Sequence, residues 1–134
     1  TQEMRENAVM IKLNVLKSTV EGKRVVMVDD SIVRGTTSRR IVNLLRKYGA
    51  KEVHVRSSAP PFRHPCYFGT DVPTEDQLIA CRCSTFDEMC REIEADSIGF
   101  LSAESLKNVI PNAGCKFCDG CFTGKYPIDV NRKF

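Results

Sequence analysis

Residues 24–38 read RVVMVDDSIVRGTTS, and this stretch decides the fold that the sequence predicts. Residues 24–28 form a continuous run dominated by apolar, β-branched side chains, which is typical of a strand covered on both faces of a parallel sheet. Asp29 and Asp30 follow at once, and a loop rich in hydroxyl groups then surrounds Gly35. The stretch therefore predicts a buried strand that delivers two carboxylates to a polar loop.

The residues after this loop continue an α/β pattern. From Thr36 onward, apolar side chains recur at the spacing of one face of a helix: Ile41, Leu44, Leu45 and Tyr48. Gly49 stands where a left-handed residue commonly ends a helix, and KEVHVRS at residues 51–57 alternates as a second strand does. Strand, helix and strand together form a βαβ unit, which implies parallel strands and a right-handed crossover. We therefore expect an α/β fold built on a parallel sheet.

The second half of the chain carries shorter signals. Two segments resemble a capping box, which is a hydroxyl residue followed three positions later by an acid or amide: TEDQ at residues 74–77 and STFD at residues 84–87. Each predicts the start of a short helix. SIGFL at residues 97–101 predicts a third short strand, and Ser102 opens another helical pattern.

Composition restricts the functions that the chain can have. Its 134 residues suffice for one domain, and 42% hydrophobic with 28% charged residues is typical of a globular protein. A net charge of +3 without a dense basic tract does not favour binding to nucleic acid. Because no apolar run approaches a membrane span and the start lacks a secretory signal, we expect a cytoplasmic chain. The first residue is not methionine, so we also expect a piece of a longer protein.

The residues after the first strand predict a binding site. In open α/β sheets, ligands bind at the carboxyl ends of the strands, where Asp29 and Asp30 fall. Two carboxylates so close together need hydroxyl donors or a cation, so a sugar diol, a Mg²⁺ ion or both would suit them. Gly35 allows close backbone approach, Arg34 adds a cation, and the helix that begins after the loop favours a phosphate: its first turn offers the hydroxyls of Thr36, Thr37 and Ser38.

This combination matches the two ends of a ribose 5-phosphate. The chain lacks both the G-x-x-x-x-G-K-[ST] and the G-x-G-x-x-G patterns, which argues against a P-loop NTPase and a dinucleotide site. The alternative interpretation is an ordinary turn at Asp29 and Asp30, with a threonine that merely caps the helix.

VVMVDDSIVRGTTS resembles the phosphoribosyl pyrophosphate (PRPP) motif of type I phosphoribosyltransferases. Several other segments resemble, more narrowly, the C-terminal part of the amidophosphoribosyltransferase family: AVMIKLN, GAKEVHVRSSAPP, HPCYFGTD, DQLIA, ADSIGFLS and CFTGKYP. The resemblance implies that Asp29 and Asp30 face the ribose hydroxyls and Mg²⁺, and that Ser31 and residues 34–38 grip the 5-phosphate. It also matches Lys12 to a lysine of the nucleotide and PRPP site.

The resemblance further implies a reaction and an organisation. Ammonia released from glutamine attacks C1 of PRPP and expels pyrophosphate, which gives 5-phosphoribosylamine for purine synthesis. No residue of this chain is expected to act as a catalytic nucleophile. Residues 1–110 would be the C-terminal part of the transferase domain, and residues 111–134 a cysteine-rich tail packed on it. The partners would be PRPP, purine nucleotides and a missing N-terminal glutaminase part, in a homo-oligomer, and the chain alone would be inactive.

The seven cysteines raise a separate question, because an odd number without an export signal disfavours a disulfide framework. Cys115, Cys118 and Cys121 form C-x-x-C-x-x-C, which suits an iron–sulfur cluster, while zinc or no metal at all stays open. The resemblance implies a 4Fe–4S cluster on Cys66, Cys118 and Cys121, with the fourth ligand in a region that this chain lacks. It leaves Cys115 as a bystander.

Three functions therefore remain in view. The first is the PRPP-binding part of an amidophosphoribosyltransferase. The second is another type I phosphoribosyltransferase or a PRPP-sensing regulator, although no DNA-binding module is visible. The third is a metal-binding fragment without enzymatic activity, in which the cysteines matter and the paired aspartates do not.

Overall fold

The computed structural model describes residues 15–69, 71–72, 74–109 and 117–130. Its centre is a three-stranded parallel sheet in the order β1–β2–β3, with β1 at Arg24–Asp29, β2 at Glu52–Ser57 and β3 at Ser97–Phe100. Asp29 pairs with Ser57, and Ser57 pairs with Phe100, so the three strands end in register. The predicted α/β class, with its parallel strands, is confirmed.

Short helices connect and flank the strands. In chain order they are α1 (Lys17–Val20), α2 (Thr36–Lys47), a 3-10 turn (Glu75–Gln77), α3 (Ile79–Arg82), α4 (Phe86–Glu92), α5 (Ala103–Lys107) and α6 (Gly120–Thr123). The side chain of Ser102 accepts a hydrogen bond from the N–H of Ser105, so α5 begins where the sequence predicted. Among the described residues, no helix has the length and apolar character needed to cross a membrane.

The main core lies on one face of the sheet. Val53 and Val55 of β2 are completely buried there, together with Val42 of α2, Met89 of α4 and Ile93, which directly follows α4. On the other face, Val26 and Val28 of β1 are 61% and 72% exposed. The expectation of a strand covered on both faces is therefore wrong for the described residues, since only alternate side chains of β1 meet the core.

The predicted capping boxes are displaced. Thr74 makes no side-chain cap on the 3-10 turn. The helix α4 has a capping box at Thr85 and Glu88, one residue after the predicted pair. Ser84 and Thr85 both precede an acid by three positions, so the pattern alone cannot choose between them. The longer Glu88 side chain decides, because its carboxylate reaches the N–H groups of both Ser84 (2.6 Å) and Thr85 (3.4 Å).

A second, smaller apolar cluster holds the tail segment, residues 117–130, against the loop that follows β2. Phe62, Val72 and Leu78 are buried in it, and Phe122 packs on them with its ring 4.8 Å from that of Phe62. The backbone N–H groups of residues 63 and 64 both donate to the carbonyl of Cys121, at 3.0 Å. The tail segment is therefore docked by backbone and aromatic contacts.

Candidate functional site

Two carboxylates stand where β1 ends. Asp29 is half-buried as the last residue of the strand, and Asp30 is exposed beside it. The N–H of Asp30 donates to Oδ1 of Asp29 at 3.0 Å, and the hydroxyl of Ser31 donates to Oδ1 of Asp30 at 3.2 Å. The chain turns at this point, so the two acids no longer face opposite sides as neighbours within a strand would.

The two carboxylates differ in their electrostatic surroundings. Burial raises the pKa of Asp29 above its usual value of 3.8, and the neighbouring charge of Asp30 adds to the rise. The hydrogen bond from the backbone N–H of Asp30 opposes both effects. A partly desolvated carboxylate next to a second one is stabilised by a cation or by hydroxyl donors. The site is therefore suited to a ligand that supplies either.

Two apolar residues fix the loop between β1 and α2 (residues 30–35), which we call the phosphate loop after the role that the sequence predicts for it. Ile32 is 1% exposed and lies in the main core, whereas Val33 packs against the second cluster. The N–H of Ile79 donates to the carbonyl of Val33 at 3.0 Å. The phosphate loop is therefore anchored to both clusters and to α3.

Gly35 ends the phosphate loop and begins α2. Its φ of +82° lies in the left-handed region, and a Cβ there would approach Cδ1 of Ile79 to 2.7 Å. Glycine at this N-cap offers no side chain to the first N–H groups of the helix, which leaves them for an anion. Thr36 and Thr37 expose their hydroxyls at the same point, while Ser38 is 2% exposed.

The carboxylates, the phosphate loop and the helix start enclose an open cavity of about 270 Å³. It is lined by every residue of one unbroken stretch, 29–38. The structure thus brings together all of the predicted sugar and phosphate residues except Lys12, which lies outside the described residues. The cavity presents acceptors at one end and backbone and hydroxyl donors at the other, which is the polarity that a phosphorylated sugar requires.

The sequence of the site belongs to a known class of domain. A model of the phosphoribosyl transferase domain family matches residues 1–67, which is half of the chain. The chain belongs to this family. The match includes β1, the phosphate loop, α2 and β2, so every residue that lines the cavity falls within it.

Curated members of the phosphoribosyl transferase domain family are similar along nearly the whole chain. The amidophosphoribosyltransferase of Bacillus subtilis is 52% identical over 134 residues, covering 97% of this chain and 28% of the relative. That of Methanocaldococcus jannaschii is 54% identical over 131 residues, covering 98% and 27%. The chain therefore spans about a quarter of the length of these relatives, and the resemblance to amidophosphoribosyltransferases is confirmed.

A solved structure shows the same arrangement of chain. The B. subtilis glutamine PRPP amidotransferase, complexed with ADP and GMP, superposes with a TM-score of 0.78 at 53% identity. The superposition covers 95% of this chain and 29% of that protein. The α/β fold of this chain is thus the fold of a segment of that enzyme.

The predicted cluster ligands are placed less completely than the residues of the cavity. Cys66 and Cys121 both pack against the second apolar cluster, and Cys118 is exposed. Burial raises the pKa of the Cys121 thiol, and the nearby Cys66 adds to the rise. Within the described ranges, no three histidine, cysteine, aspartate or glutamate side chains are arranged to hold a metal ion. Cys115 lies outside those ranges.

Sequence reasoning missed two residues that bond to the phosphate loop but do not line the cavity, Gln77 and Arg82. The Nε of Arg34 donates to Oε1 of Gln77 at 3.1 Å, and Arg82 donates to the carbonyl of Arg34 at 3.2 Å. These partners lie 43 and 48 positions from Arg34 along the chain. No spacing rule connects residues so distant, so only the fold could identify them.

Proposed function

We propose that this chain is the PRPP-binding part of an amidophosphoribosyltransferase. The observation that carries the proposal is the cavity lined by residues 29–38, with paired carboxylates at one end and an uncapped helix start at the other. The identity of 52–54% to enzymes of that name supports it. The reaction would transfer glutamine-derived ammonia to PRPP and yield 5-phosphoribosylamine and pyrophosphate in purine biosynthesis.

Each part of the cavity has a role in this proposal. Asp29 and Asp30 accept hydrogen bonds from the ribose hydroxyls. Ser31, Arg34 and the start of α2, with its glycine N-cap and the hydroxyls of residues 36–38, bind the 5-phosphate through N–H, hydroxyl and guanidinium donors. Lys12 is proposed to join the nucleotide site. The chain positions the sugar and stabilises charge as pyrophosphate leaves, and another part of the protein delivers the ammonia.

The same carboxylates fit a magnesium ion. Mg²⁺ prefers oxygen ligands and is commonly held by one or two carboxylates together with substrate phosphates. Asp29 and Asp30 supply such oxygens, and the raised pKa of Asp29 indicates a carboxylate that gains from a nearby cation. When bound with PRPP, the ion would neutralise charge on the pyrophosphate that departs. Asp29 and Asp30 are the residues that would hold it.

Purine nucleotides are proposed as further ligands of this protein. They carry a ribose and a 5-phosphate, so the groups that bind PRPP can bind them too, and the B. subtilis relative was solved with ADP and GMP. We also propose the division into a domain segment (1–110) and a tail (111–134), a glutaminase part outside this chain, a homo-oligomer and a cytoplasmic location. The docking of Phe122 on Phe62 supports the packing of the tail on the domain.

The 4Fe–4S cluster on Cys66, Cys118 and Cys121 remains a prediction. In the described part of the chain these cysteines do not form a metal-binding group, so their arrangement does not fit a cluster as it stands. No step of the proposed reaction depends on it. Iron and sulfide analysis of the purified protein, before and after Cys121→Ser, measures whether a cluster is present.

Calorimetric titration with PRPP and Mg²⁺ tests the proposed function. We expect Asp29→Asn and Asp30→Asn each to weaken binding by roughly 10–100-fold, because a hydrogen bond to a charged group contributes about 1.5–3 kcal/mol. Asp87→Asn is the matched control, because Asp87 is exposed on α4 and does not line the cavity. Equal affinities for the wild type and both cavity variants would show that the carboxylates do not bind PRPP.

A further inference from the structure

Arg82 lies behind the phosphate loop and outside the cavity. It is the last residue of α3, and its side chain is 35% exposed. Its Nη1 donates to the carbonyl of Gln77 at 2.6 Å, and its Nη2 donates to the carbonyl of Arg34 at 3.2 Å. One guanidinium therefore joins the backbone of the phosphate loop to the backbone of the segment that precedes α3.

Glu92 at the end of α4 holds this guanidinium in place. It forms an ion pair with Arg82, and it accepts a hydrogen bond from the thiol of Cys83 at 3.2 Å. Burial raises the pKa of Glu92, but hydrogen bonds from Arg82 and Cys83 outweigh it and hold the pKa below its usual value. Arg82 thus has one charged partner, Glu92, and two backbone carbonyl partners. Together they fix the orientation of its planar guanidinium.

The segment that Arg82 secures also orients the side chain of Arg34. The Nε of Arg34 donates to the amide oxygen of Gln77 at 3.1 Å. This partner is neutral, so it directs the guanidinium without cancelling its charge. The carboxylate of Asp71, at 4.0 Å, is 94% exposed and therefore screened by water. Arg34 lines the cavity and keeps its positive charge for an anion.

We propose that Arg82 is a positioning residue for phosphate binding. It fixes the carbonyl of Arg34 directly, and it fixes the guanidinium of Arg34 through Gln77, without touching the ligand itself. The inference rests on the proposed PRPP site and adds to it two residues, Arg82 and Gln77, that lie outside the lining of the cavity.

The test compares Arg82→Met, Arg82→Lys and Gln77→Ala. The first readout is the ¹⁵N resonance of the Arg34 Nε–H group, which a fixed hydrogen bond protects from exchange with water. We expect this resonance to broaden or vanish in Arg82→Met and Gln77→Ala. The second readout is calorimetric affinity for PRPP with Mg²⁺, which we expect to fall roughly 5–30-fold in both variants. Arg82→Lys keeps the charge but has a single donor nitrogen in place of the planar guanidinium, so it should recover part of the loss.

Arg46→Met is the matched control. Arg46 is 37% exposed, pairs with the carboxylate of Asp96 and donates to the carbonyl of Glu94, so it has the same kinds of partner far from the cavity. We expect it to lower the melting temperature as Arg82→Met does while leaving the affinity and the Arg34 resonance unchanged. Parallel behaviour of the two methionine variants in all readouts would overturn the proposal.

The outcomes also separate this proposal from the proposed function. If the wild type does not bind PRPP but the Arg34 resonance is lost in Arg82→Met and Gln77→Ala, positioning stands and the assigned ligand is wrong. If the wild type binds and the resonance and affinity survive both substitutions, the ligand stands and the positioning role is wrong. Should Arg82→Met not fold, Gln77→Ala decides by the same two readouts.

Discussion

At the scale of the residue, Gly35 combines two requirements that no other amino acid meets. Its left-handed backbone disfavours any Cβ, and the space beside it is already filled: a Cβ would lie 2.7 Å from Cδ1 of Ile79 and 3.3 Å from Cγ2 of Ile93. Ile93 belongs to the main core and is fully buried. The phosphate loop therefore lies directly against the core, and a side chain at residue 35 would require Ile79 to shift.

We predict that Gly35→Ala destabilises the protein by about 2–4 kcal/mol, since backbone strain of ~1–2 kcal/mol adds to overpacking. Gly22→Ala separates the two effects, because Gly22 also has a positive φ, of +71°, but nothing lies within 4 Å of its Cβ position. Gly22→Ala should therefore be destabilised by the backbone strain alone. Urea denaturation measures both, and equal losses would show that the contact with Ile79 costs nothing.

Asp29 gives the stability of the protein a distinctive dependence on pH. Because its folded pKa is raised, the folded state holds its proton more tightly than the unfolded state. The stabilisation of the folded state by protonated Asp29 is fully present below its ordinary pKa of 3.8, and it is lost as the pH rises through the pKa of Asp29 in the folded state. Asp29→Asn removes this pH-dependent loss of stability, because an amide does not ionise. It still offers an oxygen to the N–H of Asp30.

We therefore predict that Asp29→Asn melts at a temperature equal to or above that of the wild type at pH 7. The difference should shrink as the pH is lowered toward 3, where the aspartate becomes neutral in both states. Thermal melts across this range, followed by circular dichroism, measure it. A lower melting temperature at pH 7 would contradict the prediction and indicate that the charge at residue 29 stabilises the fold.

At the scale of the element, α4 depends on a capping box that holds its first turn and the residues before it together. The hydroxyl of Thr85 accepts from the N–H of Glu88 at 3.2 Å, while the Glu88 carboxylate accepts from two N–H groups before the helix. The helix carries Met89 into the core and ends at Glu92, the partner of Arg82. The helix that the capping box begins thus ends at the residue that pairs with Arg82.

Thr85→Ala should lower the free energy of unfolding by about 1 kcal/mol, within the range of ~0.5–2 kcal/mol measured for the loss of an N-cap side chain. Thr74→Ala is the control, because Thr74 stands before the 3-10 turn but caps nothing with its side chain. Chemical denaturation compares the two variants. If Thr74→Ala lost as much stability as Thr85→Ala, the effect of Thr85→Ala would not come from its capping hydrogen bond.

The elements show what sequence can and cannot predict here. The run of residues 24–28 and the alternation of residues 51–57 are long patterns with one interpretation each, and both strands were predicted correctly. The start of α4 was missed by one residue because two hydroxyl residues compete for the same cap. The polar residues of the cavity are close together in sequence and could be predicted from it, whereas the lining by Ile32 and Val33 was not predicted and Gln77 and Arg82 reach the phosphate loop only through folding.

At the scale of the whole molecule, the tail segment is joined to the loop after β2 by a small set of contacts. The hydroxyl of Tyr126 donates to the carbonyl of Pro65 at 2.7 Å, and its ring lies 5.1 Å from that of Tyr67. A Cβ on Gly120 would overlap the Tyr126 ring. The glycine therefore permits the aromatic residue to lie across α6.

We predict that Gly120→Ala releases the tail segment without unfolding the sheet. Limited proteolysis should then cleave residues 117–130 at least several times faster, while the melting transition of the core stays within about 0.5 kcal/mol of the wild type, as for a change distant from the core. Gly69→Ala serves as the control for a methyl group without overlap: its φ of +100° adds backbone strain, but nothing lies within 4 Å of its Cβ position, so it should not release the tail segment. Simultaneous loss of the tail segment and of the melting transition would show that the two parts unfold together.

The outer side of β1 has a practical consequence for handling the protein. Val26 and Val28 leave adjacent hydrocarbon groups in contact with water at the edge of the described sheet. Ammonium sulfate strengthens the tendency of such groups to leave water, so the chain should salt out readily. Low ionic strength and chilled buffers, which weaken that tendency, are the conditions under which concentrated samples should stay clear.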